Sequence, residues 1–223
     1  MRIVAMADTH MFHEELVVPD GDVLVHAGDL CRGGTLEELR EVADWIRRLP
    51  HATKVVVAGN HDWAFVHLPE DARALLGPDV VYLEDSGAEI GGVSFWGSPW
   101  QPEFYGWAFN LPRGPLLAER WARIPESTNV VITHGPVEGL GDGSSVGHVR
   151  AGCADLRARL RVLRPWLHLC GHIHEDGGAW SEDGTTYVNC TTWECERAPT
   201  VIDVDVATGL VRVEAPPRRP VRA

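Results

Sequence analysis

Five short apolar runs, each followed at once by a cluster of polar residues, limit the fold of this chain more than any other feature. The runs cover residues 3–7, 23–27, 55–58, 130–133 and 167–170. Continuous runs of this length that are rich in β-branched residues are typical of strands buried on both faces. Helical patterns lie between several of the runs, and the order strand, helix, strand favours an α/β core.

Two helices are indicated by their end signals and their apolar spacing. Thr35 and Glu38 form a capping box, and apolar residues at helical spacing follow until Pro50. A second helix is predicted over residues 152–164, because Pro165 ends the pattern. Weaker helical signals cover residues 70–76 and 116–124.

The last third of the chain has the pattern of antiparallel strands joined by tight turns. Asp183-Gly184 and Thr208-Gly209 are turn pairs, and β-branched runs cover residues 187–190, 200–206 and 210–214. We expect these strands to form a second sheet packed on the first. Residues 215–223 hold three prolines and three arginines, so we predict one domain over 1–214 and a flexible tail over 215–223.

Composition argues against several classes of function. The chain has 20 basic and 32 acidic residues, a formal charge of −12, and binding to a nucleic-acid backbone needs clustered positive charge. We therefore expect no extended nucleic-acid surface. The five cysteines never occur as C-x-x-C, which argues against a disulfide framework and a structural zinc site. No apolar run has the length of a membrane span or a signal-peptide core, so we expect no membrane partner and a cytoplasmic location.

The polar clusters at the ends of the five runs carry the residue types of a metal site. In open α/β sheets, ligands bind beyond the carboxyl ends of the strands, so these clusters are expected to meet in one pocket. Aspartate, asparagine and histidine suit Mn²⁺, Fe, Zn²⁺ or Mg²⁺ better than copper(I) or an iron–sulfur cluster. Seven ligands are too many for one ion, whereas two ions about 3.5 to 4 Å apart that share a carboxylate would use them all. The clusters are Asp8-Thr9-His10, Gly28-Asp29, Gly59-Asn60-His61-Asp62, His134-Gly135 and Gly171-His172-Ile173-His174.

Local spacing indicates how the ligands are presented. Asp8 and His10 are two residues apart, as are His172 and His174, so in an extended chain each pair projects to the same side. Glycines at positions 28, 59, 135 and 171 permit sharp exits and close backbone approach. By contrast, His26 and His168 lie inside strand runs and are predicted to be hydrogen-bonded core residues.

The motifs D-x-H, G-D, G-N-H-[DE], H-G and G-H-x-H, in this order over residues 3–206, resemble those of the calcineurin-like metallophosphoesterase superfamily. The segment W-G-S-P-W-Q-P-E-F-Y-G-W-A-F-N-L-P-R-G at 96–114, together with G-H-I-H-E at 171–175, is similar to a compact branch. That branch holds the brain-protein-239-type metallophosphoesterase-domain proteins, grouped with class III cyclic-nucleotide phosphodiesterases. The resemblance implies an α/β fold of the αββα sandwich type, with two mixed β-sheets flanked by helices.

The resemblance also implies roles for individual residues. Two divalent metal ions are implied, with Mn²⁺ or Fe favoured and Zn²⁺, Ni²⁺ and Mg²⁺ as alternatives, and a hydroxide that bridges them would attack phosphorus. His61 would be a catalytic histidine beside the leaving group, and Asp62 would orient or charge it. Asp8, His10, Asp29 and His174 would hold the first metal, and Asp29, Asn60, His134 and His172 the second, with Asp29 bridging.

Charge and aromatic residues point to a phosphate substrate. Two divalent ions, two ligand carboxylates and one hydroxide leave a formal charge of about +1, which attracts a phosphate to an otherwise acidic protein. Asn60, His61 and Arg113 are the predicted substrate contacts. Arg32 and Arg113 suit bidentate binding of phosphate, with a surface ion pair as the alternative. The aromatic residues Trp100, Trp107 and Phe109 suit either stacking on a nucleobase or packing within their own loop.

The function favoured by these features is that of a metal-dependent phosphodiesterase. Through the resemblance, its substrates would be cyclic nucleotides or other small phosphodiesters, so a small phosphate ester, nucleotides included, is the expected partner. A nucleotide-binding sensor or scaffold with little turnover is one alternative. A phosphomonoesterase or phosphoprotein phosphatase of the same fold is another, less favoured because residues 28–34 read G-D-L-C-R-G-G where protein phosphatases have G-D-x-x-D-R-G.

Overall fold

Alternating side chains on the first strand explain the layering of the molecule. In the computed structural model, which describes residues 1–144 and 150–216, β1 (Arg2–Met6) turns Ile3 and Ala5 toward one core and Val4 and Met6 toward another. Side chains on a strand point alternately to its two faces, so a strand that is apolar throughout is buried on both. The sheet that contains β1 therefore has a packed layer on each side.

The first sheet contains the first three predicted strands. From β1, it continues through β2 (Val23–Ala27), β3 (Thr53–Val57) and β4 (Val80–Tyr82), all parallel to one another. On the other side of β1, the late strands β13 (Thr200–Val204) and β14 (Val211–Glu214) are added in antiparallel pairing. The order is β14-β13-β1-β2-β3-β4.

The second sheet is built from the middle of the chain. Its strands are β5 (Ser86–Ile90), β6 (Val93–Ser98), β9 (Val130–Thr133), β10 (Leu167–Cys170), β11 (Gly178–Glu182) and β12 (Thr185–Asn189). The order is β11-β12-β10-β9-β6-β5, with β6, β9, β10 and β12 parallel. Two short strands, β7 (Gln101–Pro102) and β8 (Asn110–Leu111), pair within a separate loop.

Helices cover the outer face of each sheet. The first sheet carries α1 (Leu36–Arg48), α2 (Ala64–His67) and α3 (Pro69–Leu76), and the second carries α4 (Pro115–Ala122) and α5 (Ala154–Leu163). The Thr35 hydroxyl accepts a hydrogen bond from the Glu38 amide at 3.2 Å, so α1 begins where the capping signal predicts. Within 1–144 and 150–216, no helix is both long and apolar enough to span a membrane.

The two sheets enclose a shared apolar interior. Val25 and Val55 from the first sheet and Phe95, Val130 and Leu169 from the second lie in one cluster of buried residues. Helix, sheet, sheet and helix are thus stacked in four layers, which confirms the predicted αββα sandwich with two mixed sheets.

Two details of the predicted topology were wrong. The five apolar runs do not share one sheet: the runs at 130–133 and 167–170 belong to the second sheet, where they pair with each other and with β6 and β12. The last third of the chain does not form the second sheet alone, since β13 and β14 complete the first sheet, and β5 and β6 gave no strong signal. Of the predicted tail, 217–223 lie outside the described residues.

Candidate metal centre

Loops from both sheets meet at one edge of the sandwich. The loop after β1 is fixed to the loop after β2, because the Asp8 and His10 amides donate to the carbonyl oxygens of Gly28 and Asp29 at 3.0 and 3.2 Å. Across the sheets, the His172 amide donates to both carboxylate oxygens of Asp8 at 3.1 and 3.0 Å. All five polar clusters therefore lie together, although they come from two sheets.

The first group of converging ligand atoms comes from Asp8, His10 and His174. One ligand atom from each lies within 4.8 Å of the other two. The Nε2 atoms of His10 and His174 are 3.3 Å apart, and His174 Nε2 is 3.7 Å from Asp8 Oδ1. Asp29 Oδ2 lies 3.7 Å from His10 Nε2 and so reaches this group as well.

The second group comes from Asp29, His134 and His172, whose ligand atoms again lie within 4.8 Å of one another. His134 Nε2 is 3.4 Å from Asp29 Oδ2 and 2.9 Å from Asn60 Oδ1. The structure thus brings together all seven residues predicted as ligands, and it places Asp29 at the junction of the two groups.

Backbone carbonyl groups select which ring nitrogen faces the centre. His10 Nδ1 lies 3.3 Å from the carbonyl oxygen of Cys31, and His134 Nδ1 lies 2.9 Å from that of Ala27. A carbonyl oxygen only accepts hydrogen bonds, so each Nδ1 carries a hydrogen, and Nε2 is the nitrogen that presents a lone pair when the imidazole is neutral. Metal-binding histidines are commonly held in this way, and the donor set therefore fits a divalent cation.

Two buried carboxylates, those of Asp8 and Asp29, dominate the electrostatics of the centre. The neighbouring histidines hold the pKa of Asp8 and of Asp29 below the ordinary value, despite burial, which acts in the opposite direction. Burial lowers the pKa of His134, but the carboxylates of Asp29 and Asp8 outweigh it and raise the pKa to about 9. In His172, burial prevails and the pKa falls to about 3. Two ionised carboxylates thus attract positive charge to a site of oxygen and nitrogen donors, which divalent cations of the Mn²⁺, Fe, Zn²⁺ or Mg²⁺ type can supply.

The backbone at the ligands is left-handed, whereas the spacing predicted an extended chain. Asp8, His10 and His172 have φ values of 58°, 43° and 70°, and Asp29 has 55°. Non-glycine residues rarely adopt this region because of contacts made by Cβ. The prediction of an extended chain at Asp8–His10 and His172–His174 was wrong, because the strands have already ended and the backbone turns the side chains back over the sheet edge.

Two glycines are required by close packing at the centre. A Cβ atom on Gly59 would lie 2.3 Å from both the amide nitrogen and Oδ1 of Asp29. Gly28 has a φ of 102°, and a Cβ there would lie 2.4 Å from His134 Nδ1. The close backbone approach predicted from the sequence is therefore present at both positions.

The contacts of Asp62 differ from the predicted contact with His61. His61 is half-buried, and its Nδ1 lies 2.7 Å from the carbonyl oxygen of Arg32. The buried Asp62 carboxylate instead accepts hydrogen bonds from the amides of Gly59, Cys31 and Leu30 at 2.7, 2.9 and 3.3 Å. Burial and Asp29 raise the pKa of Asp62 to about 6, and the three amides oppose the shift. The predicted orientation of His61 by Asp62 is replaced: a backbone carbonyl contacts the ring, and Asp62 ties two loops together.

Arg113 lies in the wall of a cavity of about 520 Å³ beside the ligands. Its guanidinium donates to the carbonyl oxygens of Gly152 and Ala151 at 2.6 and 3.0 Å. His172 and His174 open into the same cavity, and Phe104 and Trp193 supply apolar wall. The sequence did not predict Trp193 as a residue of the cavity wall. Its position there depends on a left-handed backbone turn, with a φ of 48° at Trp193.

Two of the aromatic residues, Trp100 and Phe109, pack on each other. Phe109 is buried and meets Trp100 edge to face, with 5.6 Å between ring centroids. Trp107 contacts His61 instead, with 4.2 Å between centroids. Of the two interpretations of Trp100 and Phe109, loop packing is therefore the one that the contacts support.

The two strand histidines are core residues, as predicted. His26 Nε2 lies 3.0 Å from the Thr9 hydroxyl, and His168 Nε2 lies 2.8 Å from the Thr133 hydroxyl. Both rings are fully buried, which lowers the pKa of each to about 3. Each ring thus contacts a threonine that directly adjoins a proposed ligand.

Comparisons with known proteins show the family and the fold of this chain. A family model for calcineurin-like phosphoesterases matches residues 1–176. The chain is 38% identical over 231 residues to human metallophosphoesterase domain-containing protein 1, covering 91% of this chain and 71% of the relative. It is 40% identical over 210 residues to a UPF0046 protein of Caenorhabditis elegans, covering 88% and 71%. The solved structure of TT1561 from Thermus thermophilus shares the fold, with a TM-score of 0.69, 14% identity and coverage of 96% of this chain and 98% of that one.

Proposed function

This chain belongs to the calcineurin-like phosphoesterase family, and on that premise we propose that it hydrolyses small phosphodiesters, with cyclic nucleotides as the leading substrate class. The observation that carries the proposal is the position of Asp29. Its Oδ2 atom lies 3.7 Å from His10 Nε2 and 3.4 Å from His134 Nε2. A carboxylate within reach of two ligand groups is what a centre of two cations needs.

The proposed ligand sets follow the two groups of converging atoms. We assign one divalent cation to Asp8, His10, Asp29 and His174, and a second to Asp29, Asn60, His134 and His172. Mn²⁺ or Fe is the favoured ion, since oxygen and imidazole donors without thiolates suit these metals. When bound, such cations activate water and neutralise phosphoryl oxygens.

His61 is proposed as the acid that serves the leaving group. Because the Arg32 carbonyl holds a hydrogen on Nδ1, the proton that can be transferred is the one on Nε2. When the bond from phosphorus to the leaving oxygen breaks, that oxygen takes the Nε2 proton, a contribution that is typically about 10²- to 10⁴-fold in rate.

The cavity next to the ligands supports a diester over a monoester. A phosphodiester keeps one substituent on phosphorus, and a volume of about 520 Å³ with Phe104 and Trp193 in its wall accommodates such a group. Arg113 lies in the same wall. Together with Asn60 and His61, it remains a proposed substrate contact, and a cytoplasmic location remains the proposed setting.

The experiment that tests this function compares bis-p-nitrophenyl phosphate with p-nitrophenyl phosphate in the presence of Mn²⁺. We expect faster turnover of the diester, loss of turnover after chelation and recovery when Mn²⁺ is returned. Asp29→Asn should abolish turnover, whereas Asp203→Asn, in an exposed ion pair with Arg2, should retain it.

Two results would contradict the proposal. A preference for the monoester would indicate a phosphomonoesterase on the same fold. Tight nucleotide binding without turnover of either ester, in protein that contains metal, would indicate a sensor.

A further inference from the structure

The loop between β7 and β8 places an indole ring against the proposed acid. The rings of Trp107 and His61 have centroids 4.2 Å apart and planes 30° apart, so one face of the imidazole is covered. Trp107 is half-buried, whereas Phe104 and Tyr105 of the same loop are exposed. The loop therefore turns one of its aromatic residues inward, onto His61.

Two further contacts restrain the His61 ring. The His10 and His61 rings meet edge to face, with 4.7 Å between centroids and planes 77° apart. The Arg32 carbonyl oxygen lies 2.7 Å from Nδ1. Trp107, His10 and the Arg32 carbonyl together restrict rotation of the His61 ring. Since Nδ1 is occupied, Nε2 is the nitrogen that can contact a substrate.

The loop is itself held rigidly enough to fix the indole. At its base, the Gln101 amide donates to the carbonyl oxygen of Phe109 at 3.1 Å, and the Glu103 amide donates to that of Leu111 at 2.8 Å. The Ala108 amide donates to the carbonyl oxygen of Asn60 at 3.2 Å, which joins the loop to the segment that carries His61. Trp107 is thus fixed relative to the ring that it contacts.

We propose that Trp107 is a positioning residue that holds His61 with Nε2 toward the leaving oxygen. This inference rests on the proposed phosphodiesterase function and deepens it. In the step concerned, the oxygen of a hydroxide ion forms a new bond to phosphorus and the bond to the leaving oxygen breaks. The electron pair of that bond passes to the leaving oxygen, which takes the Nε2 proton, and the N–H electron pair stays on the imidazole. Trp107 exchanges no proton or electron and acts through orientation alone.

A positioning role of Trp107 and a role in stacking on a nucleobase affect different kinetic constants. A stacking platform contributes to substrate binding, so its loss raises KM. A residue that orients the acid affects kcat, and it does so most when the leaving group is a poor one that needs protonation. The two roles can therefore be separated with one series of substrates.

The test uses Trp107→Leu, Trp107→Phe and, as a matched control, Tyr105→Leu from the exposed tip of the same loop, 74% exposed. Steady-state kinetics are measured on methyl aryl phosphodiesters whose leaving phenols span several pKa units. We expect Trp107→Leu to lower kcat about 10- to 100-fold for the poorest leaving group and less for p-nitrophenol, with little change in KM. Trp107→Phe should recover most of kcat, because a flat ring is restored, and Tyr105→Leu should match the wild-type protein.

A double variant and a spectroscopic measurement complete the test. In His61→Ala, adding Trp107→Leu should cause no further loss, since there is no ring to orient. In metal-free protein, NMR should show His61 ring protons shifted upfield by the indole, and Trp107→Leu should abolish the shift.

Each contrary outcome has a distinct meaning. An equal loss for all leaving groups, a rise in KM alone, or the absence of the upfield shift in folded wild-type protein would overturn the positioning role. Absence of turnover of every ester by the wild-type protein loaded with Mn²⁺ would overturn the phosphodiesterase function, and the positioning role would fall with it.

Discussion

Asn60 Oδ1 and His134 Nε2 lie 2.9 Å apart, although both atoms accept hydrogen bonds when the imidazole is neutral. His134 Nδ1 already holds its hydrogen for the carbonyl oxygen of Ala27, so Nε2 has only a lone pair to offer. Two acceptor atoms repel each other at this distance unless a proton or a cation lies close to both. A proton on His134 meets this condition in the metal-free protein, and a divalent cation is proposed to replace it.

Asp29→Asn should lose more metal than Asp8→Asn. Asp29 reaches both ligand groups, whereas Asp8 belongs to one. After incubation with Mn²⁺ and gel filtration, elemental analysis should find close to no bound metal in Asp29→Asn and about one equivalent in Asp8→Asn. Asp203→Asn is the control and should bind as much as the wild-type protein. Equal retention by the two site variants would argue against a shared carboxylate.

His61→Ala should keep its metal and lose turnover. His61 belongs to neither proposed ligand set, and its Nε2, which the Arg32 carbonyl leaves open, is assigned to the leaving group instead. We expect kcat for a diester to fall about 10²- to 10⁴-fold, with metal content unchanged in elemental analysis. Ligand atoms of His10, Asp29 and His61 also lie within 4.8 Å of one another. Metal depletion in this variant would therefore mean that His61 is a ligand.

Asp62→Ala should destabilise the fold and should not change the role of His61 as the acid. The carboxylate accepts three backbone hydrogen bonds in a buried position, and its removal leaves three amides without their acceptor. Urea denaturation should show a loss of about 3 kcal/mol in the free energy of unfolding, whereas Asp203→Ala, at an exposed pair, should show almost none. Wild-type stability in Asp62→Ala with a changed leaving-group dependence would restore the role predicted from the sequence.

The free energy of unfolding should decrease as pH is lowered, and His168 should account for part of this decrease. Burial lowers its folded pKa to about 3, against about 6.5 in the unfolded chain. Between these values the unfolded state binds a proton that the folded state does not, so the free energy of unfolding decreases as pH falls, by about 1.4 kcal/mol per pH unit at most. His168→Gln should remove this part of the slope. The measurement is urea denaturation of both proteins from pH 7 to pH 4, and parallel slopes would contradict the expectation.

Much of the architecture was predictable because it depends on local pattern. The β-branched runs at 3–7, 23–27 and 130–133 are buried strands in the structure, and the capping pair Thr35 and Glu38 marks the start of α1. The division of the strands between two sheets was not predictable, because a strand buried on both faces has the same sequence pattern in either sheet.

The residues of the centre were predictable as a set, but their partners were not. Asp62 follows His61 directly in the chain, yet its carboxylate binds the amides of Gly59 and Cys31 instead of the His61 ring. The ring is held by Arg32 and Trp107, which are distant from it in sequence. No local pattern records such contacts.

The sequence by itself determined which chemical groups this protein has available and in what order, because strand burial and motif spacing are properties of neighbouring residues. Only the tertiary structure decided that Asp29 stands between two ligand groups, that a carbonyl assigns the proton of His61, and that an indole covers the His61 ring. These relationships depend on which loops meet at the edge of the sandwich. That is settled by packing between segments far apart in the chain, where each contact adds little energy and the sum selects one arrangement.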